Sequence, residues 1–241
     1  MKAVILAAGK GTRMKEITKE IPKPMALIHG KPMLEHIITY IKSAGVTEFG
    51  IVVGYKSSIV QNHFGDGSSL GVSITYIEQV DQNGTGAAVG LAEEFAGGSP
   101  FFFSFGDVMT PQENYPNMLN FYKSSGCHTL LGLNEVDDPY KGAAVYLDED
   151  SNIVKMIEKP PKGTSTSNLN NAGIMILSGD VFKYTSNLEL SPRGEYELTD
   201  VFGMLRDDGK SLKGHPLSGY WKDVGTPEDL EEAQTLIDAD E

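Results

Sequence analysis

The chain opens with the apolar stretch KAVIL at residues 2–6, which runs directly into AAGKGTRM at residues 7–14. Aliphatic residues that stop abruptly at small residues and glycines are typical of a buried strand feeding a tight turn. Successive backbone N–H groups in such a turn form a concave phosphate-binding surface, and this turn also carries two cations, Lys10 and Arg13. The stretch therefore predicts a phosphate-binding loop at the end of a first strand.

Two common phosphate-binding motifs do not fit this loop. A Walker A loop requires a Gly-Lys-Ser/Thr ending, and a dinucleotide fingerprint requires a glycine at the position of Met14. The fingerprint also requires an acid about 20 residues further on, near His29. Taken alone, the loop fits an ordinary surface turn equally well.

Composition limits the kind of protein. The 241 residues, 40% of them hydrophobic, suffice for one large core. No apolar run approaches a membrane-spanning length and no signal peptide precedes the first strand, so we expect a cytoplasmic protein without a membrane partner. A net charge of -13 argues against nucleic acid as a partner, although a local cationic pocket can still bind nucleotides. The single cysteine, Cys127, excludes an internal disulfide and is expected to fill the core.

Strand and helix patterns alternate through the first half. Strands are predicted at residues 2–6, 49–53, 72–77, 101–105 and 129–133, and helices at 33–41, 58–64, 85–95 and 118–124. This alternation predicts an α/β fold with a Rossmann-like, mostly parallel sheet flanked by helices, which binds ligands at the carboxyl ends of its strands. The sequence IPKP at residues 21–24 predicts an extended segment that holds Lys23, because each proline disfavours helix at the residue before it.

The second half has a different rhythm. Strands predicted at residues 143–147, 153–157 and 172–177 indicate a β-rich part on the same sheet, and residues 160–168 form a polar, flexible loop. Helices are predicted at residues 198–205 and 227–239, the latter capped by Thr226 with Pro227 in its first turn. We expect one domain over residues 1–241, with halves at 1–135 and 136–241 and no C-terminal β-helix.

Two acids stand where chemistry is expected. Asp107 directly follows a buried strand, and Asp223 lies in a similar setting after Tyr220-Trp221-Lys222. Carboxylates at strand ends, with no histidines at ligand spacing, suit Mg²⁺, which binds one or two carboxylates together with substrate phosphates. Taken alone, Asp107 would more simply be a turn or helix-capping aspartate.

Other polar positions fit the binding of a nucleotide or a sugar. Glu158-Lys159 ends a strand, where an acid can accept sugar hydroxyls and a lysine can hold a phosphate, although a surface ion pair is the simpler alternative. Asn171 precedes a strand in a similar way. Gln79 precedes a second glycine-rich turn, and its amide can pair with the imide edge of uracil or thymine.

In this order, the motifs LAAGKGTRM, IPKPM, EQVDQNGTGAA, FGD, IEKP, NNAG and WKDVGTPEDL resemble the sugar-1-phosphate nucleotidyltransferase family over nearly the whole chain. The resemblance implies that Arg13 contacts the β- and γ-phosphates of a nucleotide, Lys23 contacts the α-phosphate, and Asp107 and Asp223 hold Mg²⁺. It implies further nucleotide contacts at Leu6, Ala8, Gly9, Gly11, Thr12, Gln79, Gly84 and Thr85. It implies sugar-phosphate contacts at Gly142, Glu158, Lys159 and Asn171.

The implied reaction joins a nucleoside triphosphate and a sugar 1-phosphate, with in-line attack on the α-phosphorus and release of pyrophosphate. The turn Gly84-Thr85-Gly86 looks more like that of uridylyltransferases, so UTP is favoured and dTTP is second. Glucose 1-phosphate and N-acetylglucosamine 1-phosphate both remain open, and a homo-oligomer is possible. The alternatives are a cytidylyltransferase acting on phosphocholine or another phosphate, and a catalytically silent nucleotide-sugar sensor.

Overall fold

The structure, a computed structural model, describes residues 1–237. The strands are β1 (Lys2–Ala7), β2 (Leu27–Ile28), β3 (Lys31–Pro32), β4 (Glu48–Val53), β5 (Ser73–Glu78), β6 (Phe101–Phe105), β7 (Val108–Met109), β8 (Thr129–Glu135), β9 (Ala143–Leu147), β10 (Ile153–Glu158), β11 (Leu169–Leu177), β12 (Leu212–Pro216) and β13 (Lys222–Asp223). The helices are α1 (Ile17–Glu20), α2 (Met33–Ser43), α3 (Ser57–Phe64), α4 (Thr85–Gly90), α5 (Glu93–Ala96), α6 (Asn114–Ser125), α7 (Phe182–Thr185), α8 (Leu198–Asp207) and α9 (Pro227–Leu236).

One large mixed sheet forms the centre. Its strands follow the order β10-β9-β11-β6-β1-β4-β5, and β8 pairs with both β11 and β12. β1 runs parallel to β4 and β6, and β4 runs parallel to β5. β11 joins the second half to the first by antiparallel pairing with β6, β8 and β9. The carboxyl ends of β1, β4, β5 and β6 therefore meet at one edge, as the sequence predicts.

Two apolar cores cover the two faces of the sheet. Neighbouring residues of β1 point to opposite faces, so Ile5 joins the core beneath α2 with Ile37, while Val4 joins the core beneath α8 with Phe202. Full burial of such a side chain stabilises the fold by about 1.5–3 kcal/mol. Cys127 is buried beside the first of these cores and is a free thiol, as expected. The predicted α/β fold with helices on both faces is confirmed.

One helix prediction is wrong. Residues 85–95 form two short helices, α4 and α5, rather than a continuous one. Near their junction, the Ala92 N–H donates to the Val89 carbonyl at 2.9 Å, a tighter bond than an α-helix makes. Gly86 and Gly90 also lower helix propensity, and the Gly86 N–H donates outside the helix, to Tyr196.

The prediction for Lys23 also needs correction. Pro22 is extended, but Lys23, Pro24 and Met25 form a 3₁₀ turn closed by a 3.1 Å bond from the Ala26 N–H to the Lys23 carbonyl. Proline is tolerated there because the first turn of a helix needs no donor from it. Lys23 is held by a turn, not by an extended segment.

The C-terminal helix begins as the sequence predicts. The Thr226 hydroxyl and the Asp229 carboxylate form a reciprocal capping box, with Pro227 in the first turn. α9 ends at Leu236, and the last two residues of the predicted 227–239 helix lie outside the described residues. Within residues 1–237, no helix combines the length and apolar character that crossing a membrane requires.

Candidate active site

A cleft of about 1460 Å³ lies at the edge where the parallel strands end. Most of the site residues predicted from the sequence line it: Leu6, Ala8, Gly9, Arg13, Gln79, Gly84, Thr85, Asp107, Gly142, Glu158, Lys159, Asn171 and Asp223. Gly11, Thr12 and Lys23 do not line it. The fold thus collects side chains from both halves of the chain around one opening.

The loop after β1 is fixed through its backbone. The Ala8 carbonyl accepts a 2.7 Å hydrogen bond from the Gln82 amide and a 3.2 Å bond from the Tyr55 N–H. Gly11 has a φ of 61°, and a β-carbon there would lie 2.8 Å from the β-carbon of Lys23. Glycine is required at this position because a side chain has no room and the backbone is left-handed. Gly11 therefore shapes the loop from behind.

The cations of the loop differ in position. Both are exposed, but Arg13 lines the cleft and Lys10 does not; the neighbouring Thr12 also lies outside the lining. The guanidinium lies against Gly225, where a β-carbon would sit 3.1 Å from its central carbon. Among residues 1–237, no hydrogen bond or ion pair is recorded for the Arg13 side chain. Its donors are free to bind an anion.

The two predicted metal-binding acids come together through a short ladder. β13 pairs with β7 so that Asp223 lies opposite Val108, and the Val224 N–H donates to the Asp107 carbonyl at 2.9 Å. The Lys23 ammonium donates to an Asp107 carboxylate oxygen at 2.5 Å and lies 3.5 Å from an Asp223 oxygen. A buried lysine thus lies between two acids that the sequence places far apart.

The charges at this point favour a cation. Burial raises the pKa of Asp223, as does the neighbouring Asp107 carboxylate, while Lys23 and Arg13 lower it. A divalent cation reduces the electrostatic repulsion between two neighbouring carboxylates, and carboxylate oxygens are the ligands that Mg²⁺ prefers. Within residues 1–237, no set of three or more histidine, cysteine or acidic side chains forms a closed metal cage. The pair fits an ion that completes its shell with water and substrate phosphates.

One end of the cleft is built from Gln79 and the second glycine-rich turn. Gln79 is buried, and its amide N–H donates to the Asp81 carbonyl at 3.1 Å. Gly84 has a φ of 124°, and a β-carbon there would overlap the Tyr196 backbone. The Tyr196 N–H donates to the Asn83 carbonyl at 2.9 Å, so the turn packs directly on the segment before α8.

Thr85 has a structural contact that the sequence did not reveal. Its hydroxyl accepts a 3.2 Å hydrogen bond from the N–H of Leu198, the first residue of α8. The hydroxyl proton is still available to a ligand, because a threonine hydroxyl both accepts and donates.

A second part of the cleft is rich in charge. Glu158 accepts a 2.7 Å hydrogen bond from the Thr199 hydroxyl and pairs with Arg193 at 3.4 Å. Arg193 also pairs with the buried Glu197 at 3.0 Å. Burial raises the pKa of Glu158, and Glu197 adds to this, while Thr199, Lys159 and Arg193 oppose it. This arrangement gives carboxylate acceptors for hydroxyl groups beside two cations for a phosphate.

Backbone contacts position the remaining residues of this charged part of the cleft. The Lys159 N–H donates to the Gly142 carbonyl at 2.8 Å, which leaves the Lys159 side chain exposed at the cleft. A β-carbon at Gly142 would overlap the Asn170 carboxamide, so any other residue there would require the Asn170 side chain to move. The Asn171 carboxamide oxygen accepts a 3.1 Å bond from the Gly173 N–H.

Sequence reasoning missed several residues that line the cleft. Arg193, Glu197 and Thr199 come from the stretch SPRGEYELTD, and Trp221 and Lys222 precede Asp223. The charged residues clustered just before the helix predicted at residues 198–205 could have indicated this part of the site. Their partner Glu158 lies 35 residues before Arg193, so the pattern alone could not join them.

Comparison with known proteins identifies the family of the chain. The profile of the nucleotidyl transferase family matches residues 2–240. The low-salt glycan biosynthesis nucleotidyltransferase Agl11 of Haloferax volcanii is 37% identical over 238 residues, which cover 98% of this chain and 66% of Agl11. The chain spans between about half and two thirds of the length of the curated relatives it matches.

Two solved structures are similar along almost their entire length. One, described as a glucose-1-phosphate thymidylyltransferase from Bacillus anthracis, has a TM-score of 0.88 and 31% identity, covering 98% of this chain and 94% of its own. The other, a UDP-glucose pyrophosphorylase complexed with UDP-glucose, has a TM-score of 0.88 and 25% identity, covering 97% of both chains. These findings confirm the family predicted from the sequence: the chain belongs to the nucleotidyl transferase family, among the sugar-1-phosphate nucleotidyltransferases.

Proposed function

We propose that the chain transfers a nucleotidyl group from a nucleoside triphosphate, with UTP favoured over dTTP, to a sugar 1-phosphate, releasing pyrophosphate. The observation that carries this proposal is the group formed by Lys23, Asp107 and Asp223, with the free Arg13 beside it. Asp107, Asp223 and Arg13 line a cleft that also contains the turn around Gly84, suited to a base, and the charged group around Glu158, suited to a sugar phosphate. Residues 1–135 would then bind the nucleotide, and residues 136–241 the sugar.

The residues divide the work by charge. Arg13 binds the β- and γ-phosphates, which become the leaving pyrophosphate, and Lys23 exchanges its carboxylate partners for the α-phosphate when the nucleotide binds. Asp107 and Asp223 would hold Mg²⁺, which neutralises the charge that builds up on the phosphate oxygens. The sugar-phosphate nucleophile is already anionic near neutral pH, so the site needs no general base. Positioning and charge neutralisation supply the acceleration.

The remaining contacts choose the substrates. Gln79, Gly84 and Thr85 would bind the base, and the loop residues Leu6, Ala8 and Gly9 the rest of the nucleotide. Gly11 and Thr12 lie outside the cleft lining and would instead shape that loop. Gly142, Glu158, Lys159 and Asn171 would bind the sugar phosphate. The charges around Glu158 support these roles, because Glu158 offers acceptors for hydroxyls while Lys159 and Arg193 offer donors for phosphate. UTP is supported by the Gly84-Thr85-Gly86 turn, and a UDP-glucose pyrophosphorylase is among the similar structures.

The test is a matrix of pyrophosphate-release assays with Mg²⁺. It crosses UTP, dTTP, CTP and GTP with glucose 1-phosphate, N-acetylglucosamine 1-phosphate, mannose 1-phosphate and phosphocholine. Release with UTP and a sugar phosphate is the expected result. Release only with CTP and phosphocholine would make the chain a cytidylyltransferase. Nucleotide binding without release from any pair would favour a sensor or an enzyme for a sugar phosphate outside the matrix. The variant Asp223→Asn, nearly isosteric, should keep its fold and lose most turnover, which separates loss of chemistry from loss of structure.

A further inference from the structure

The turn that presents Asp223 is held from outside the acid pair. One oxygen of the Asp229 carboxylate accepts three hydrogen bonds: from the Thr226 hydroxyl at 2.7 Å, the Thr226 N–H at 2.9 Å and the Gly225 N–H at 3.1 Å. The other oxygen lies 2.9 Å from the Lys222 ammonium. These contacts fix the chain on both sides of Asp223.

This set of bonds exceeds what a helix cap needs. A capping box joins the side chain at the N-cap to the backbone three residues later, and the side chain three residues later to the N-cap N–H. Thr226 and Asp229 satisfy both requirements by themselves. The bonds to Gly225 and Lys222 are additional, and they connect the start of α9 to the residues before the cap rather than to the helix.

The same turn touches the other charged groups of the site. Its Val224 N–H is bonded to the Asp107 carbonyl at 2.9 Å. Its Gly225 supports the Arg13 guanidinium, which a β-carbon at Gly225 would approach to 3.1 Å. A shift of the turn would therefore move Asp223 against Asp107 and remove the surface on which Arg13 lies.

We propose that Asp229 is a positioning residue that fixes the turn at residues 223–226 and thereby sets the geometry of the acid pair and Arg13. This inference rests on the proposed function of that site. Asp229 lines the same cleft as the residues proposed to hold the metal, but both of its carboxylate oxygens are already held by Thr226, Gly225 and Lys222, so its role there is to orient the acid pair. Partners that orient metal ligands typically change metal affinity by about 10–100-fold when they are replaced.

The test variant is Asp229→Asn, which keeps the size and one acceptor oxygen but loses the charge that pairs with Lys222. The matched control is Glu228→Gln, which removes an equal charge from the same first turn of α9. Glu228 is exposed, and within residues 1–237 no hydrogen bond or ion pair is recorded for its side chain. Any effect of charge on the helix dipole is therefore common to both variants.

The readout uses the only tryptophan of the chain. Trp221 lines the cleft two residues before Asp223, and its indole N–H donates to the Ala172 carbonyl at 2.9 Å. Titrating Mn²⁺ in the presence of UTP should quench its fluorescence, because Mn²⁺ is paramagnetic. We expect Asp229→Asn to weaken this binding by about tenfold, which is about 1.4 kcal/mol, and Glu228→Gln to leave it unchanged. In the release assay, kcat should fall while KM for the sugar phosphate stays the same.

Equal Mn²⁺ affinity in Asp229→Asn and Glu228→Gln would overturn the proposal. It would also be overturned if Mn²⁺ did not quench the Trp221 fluorescence of the wild-type protein. If Asp229→Asn lowers the unfolding temperature strongly, Lys222→Met tests the same contact with the capping box intact, and the same loss of Mn²⁺ affinity is expected. Failure of the proposed function would look different. The wild-type protein would then release no pyrophosphate, although its binding of Mn²⁺ and UTP would still depend on Asp229.

Discussion

Replacing Lys23 with methionine tests the central charge arrangement most directly. Methionine fills most of the space of the lysine stem but lacks the ammonium that lies 2.5 Å from Asp107 and 3.5 Å from Asp223. The lysine side chain is only 9% exposed, whereas the two carboxylates are 28% and 43% exposed. The substitution therefore leaves two neighbouring carboxylates without their buried counter-charge.

The expected loss of stability follows from these exposures. Removing one partner of a buried ion pair typically destabilises a protein by about 3–5 kcal/mol. Since water reaches both carboxylates, the lower end applies, or about 3 kcal/mol. For a chain of this size, each kcal/mol lowers the unfolding temperature by about 2–4 °C, so a decrease of roughly 6–12 °C is expected. Mg²⁺ should restore part of it, because a divalent cation supplies the missing positive charge.

The assay is thermal unfolding with and without Mg²⁺, alongside pyrophosphate release. Lys19→Met is the control, because Lys19 pairs with Glu16 on the surface, with side chains 66% and 82% exposed. Exposed pairs contribute about 0–1 kcal/mol, so the control should unfold close to wild type. Should Lys23→Met unfold at the wild-type temperature and respond to Mg²⁺ no more than wild type does, Lys23 is not the counter-charge of the acid pair. We expect Lys23→Met to lose most turnover even at saturating Mg²⁺.

Three other predictions follow from single features. Gly84→Ala should destabilise the protein by at least about 2 kcal/mol in denaturant titration, because alanine disfavours the φ of 124° and its β-carbon overlaps the Tyr196 backbone. Gly97→Ala, with a φ of 66° and open space around it, should cost only about 1 kcal/mol, so equal losses would contradict the overlap argument. Glu158→Gln should raise KM for the sugar phosphate by about 10–100-fold, the value of a hydrogen bond to a charged group. Because burial raises the pKa of Glu158, the folded state binds more protons than the unfolded state above the ordinary value of 4.5, and stability falls as pH rises through that window. The Glu158→Gln variant should therefore lose less stability between pH 4.5 and neutrality, as measured by its unfolding temperature. An unchanged pH profile would show that Glu158 is not the source of this loss of stability. EDTA should abolish pyrophosphate release yet leave the circular dichroism unchanged, because the two apolar cores hold the fold; release that persists in EDTA would exclude a divalent cation.

The parallel part of the sheet could be predicted because its strands are defined locally. The apolar run Phe101-Phe102-Phe103 is buried on both sides, so it stands out in the sequence without knowledge of its neighbours. β12, in contrast, has the sequence LKGHP, whose glycine and proline are poor strand formers. It becomes a strand only because β8 lies beside it, in a pairing the sequence does not encode locally. The two-residue strands β7 and β13 follow the same principle.

The site shows the same division. Asp107 could be recognised because it follows β6, a parallel strand whose carboxyl end lies at the ligand-binding edge of the sheet. Asp223 could be recognised only from its motif, since it lies on β13, which pairs antiparallel with β7 outside the large sheet. The lysine between them could not be located, since Lys23 is 84 residues from Asp107 and 200 residues from Asp223. Its motif suggested an extended segment, and only the 3₁₀ turn brings its ammonium to the acids.

Arg193 and Thr85 explain why residue type alone cannot separate structural from ligand-binding roles. Arg193 lies in a polar stretch typical of a loop, yet it is paired with Glu158 and Glu197 at the cleft. Thr85 belongs to a motif implied to bind the base, yet its hydroxyl oxygen accepts the first N–H of α8. Because the hydroxyl keeps its own proton to donate, the contact with α8 and a contact with a base are compatible. The glycine-rich turn is thus bonded to the helix that also carries Thr199, the hydrogen-bond partner of Glu158. Because Leu198 and Thr199 are consecutive, the first turn of α8 fixes Thr85 and Glu158 relative to each other.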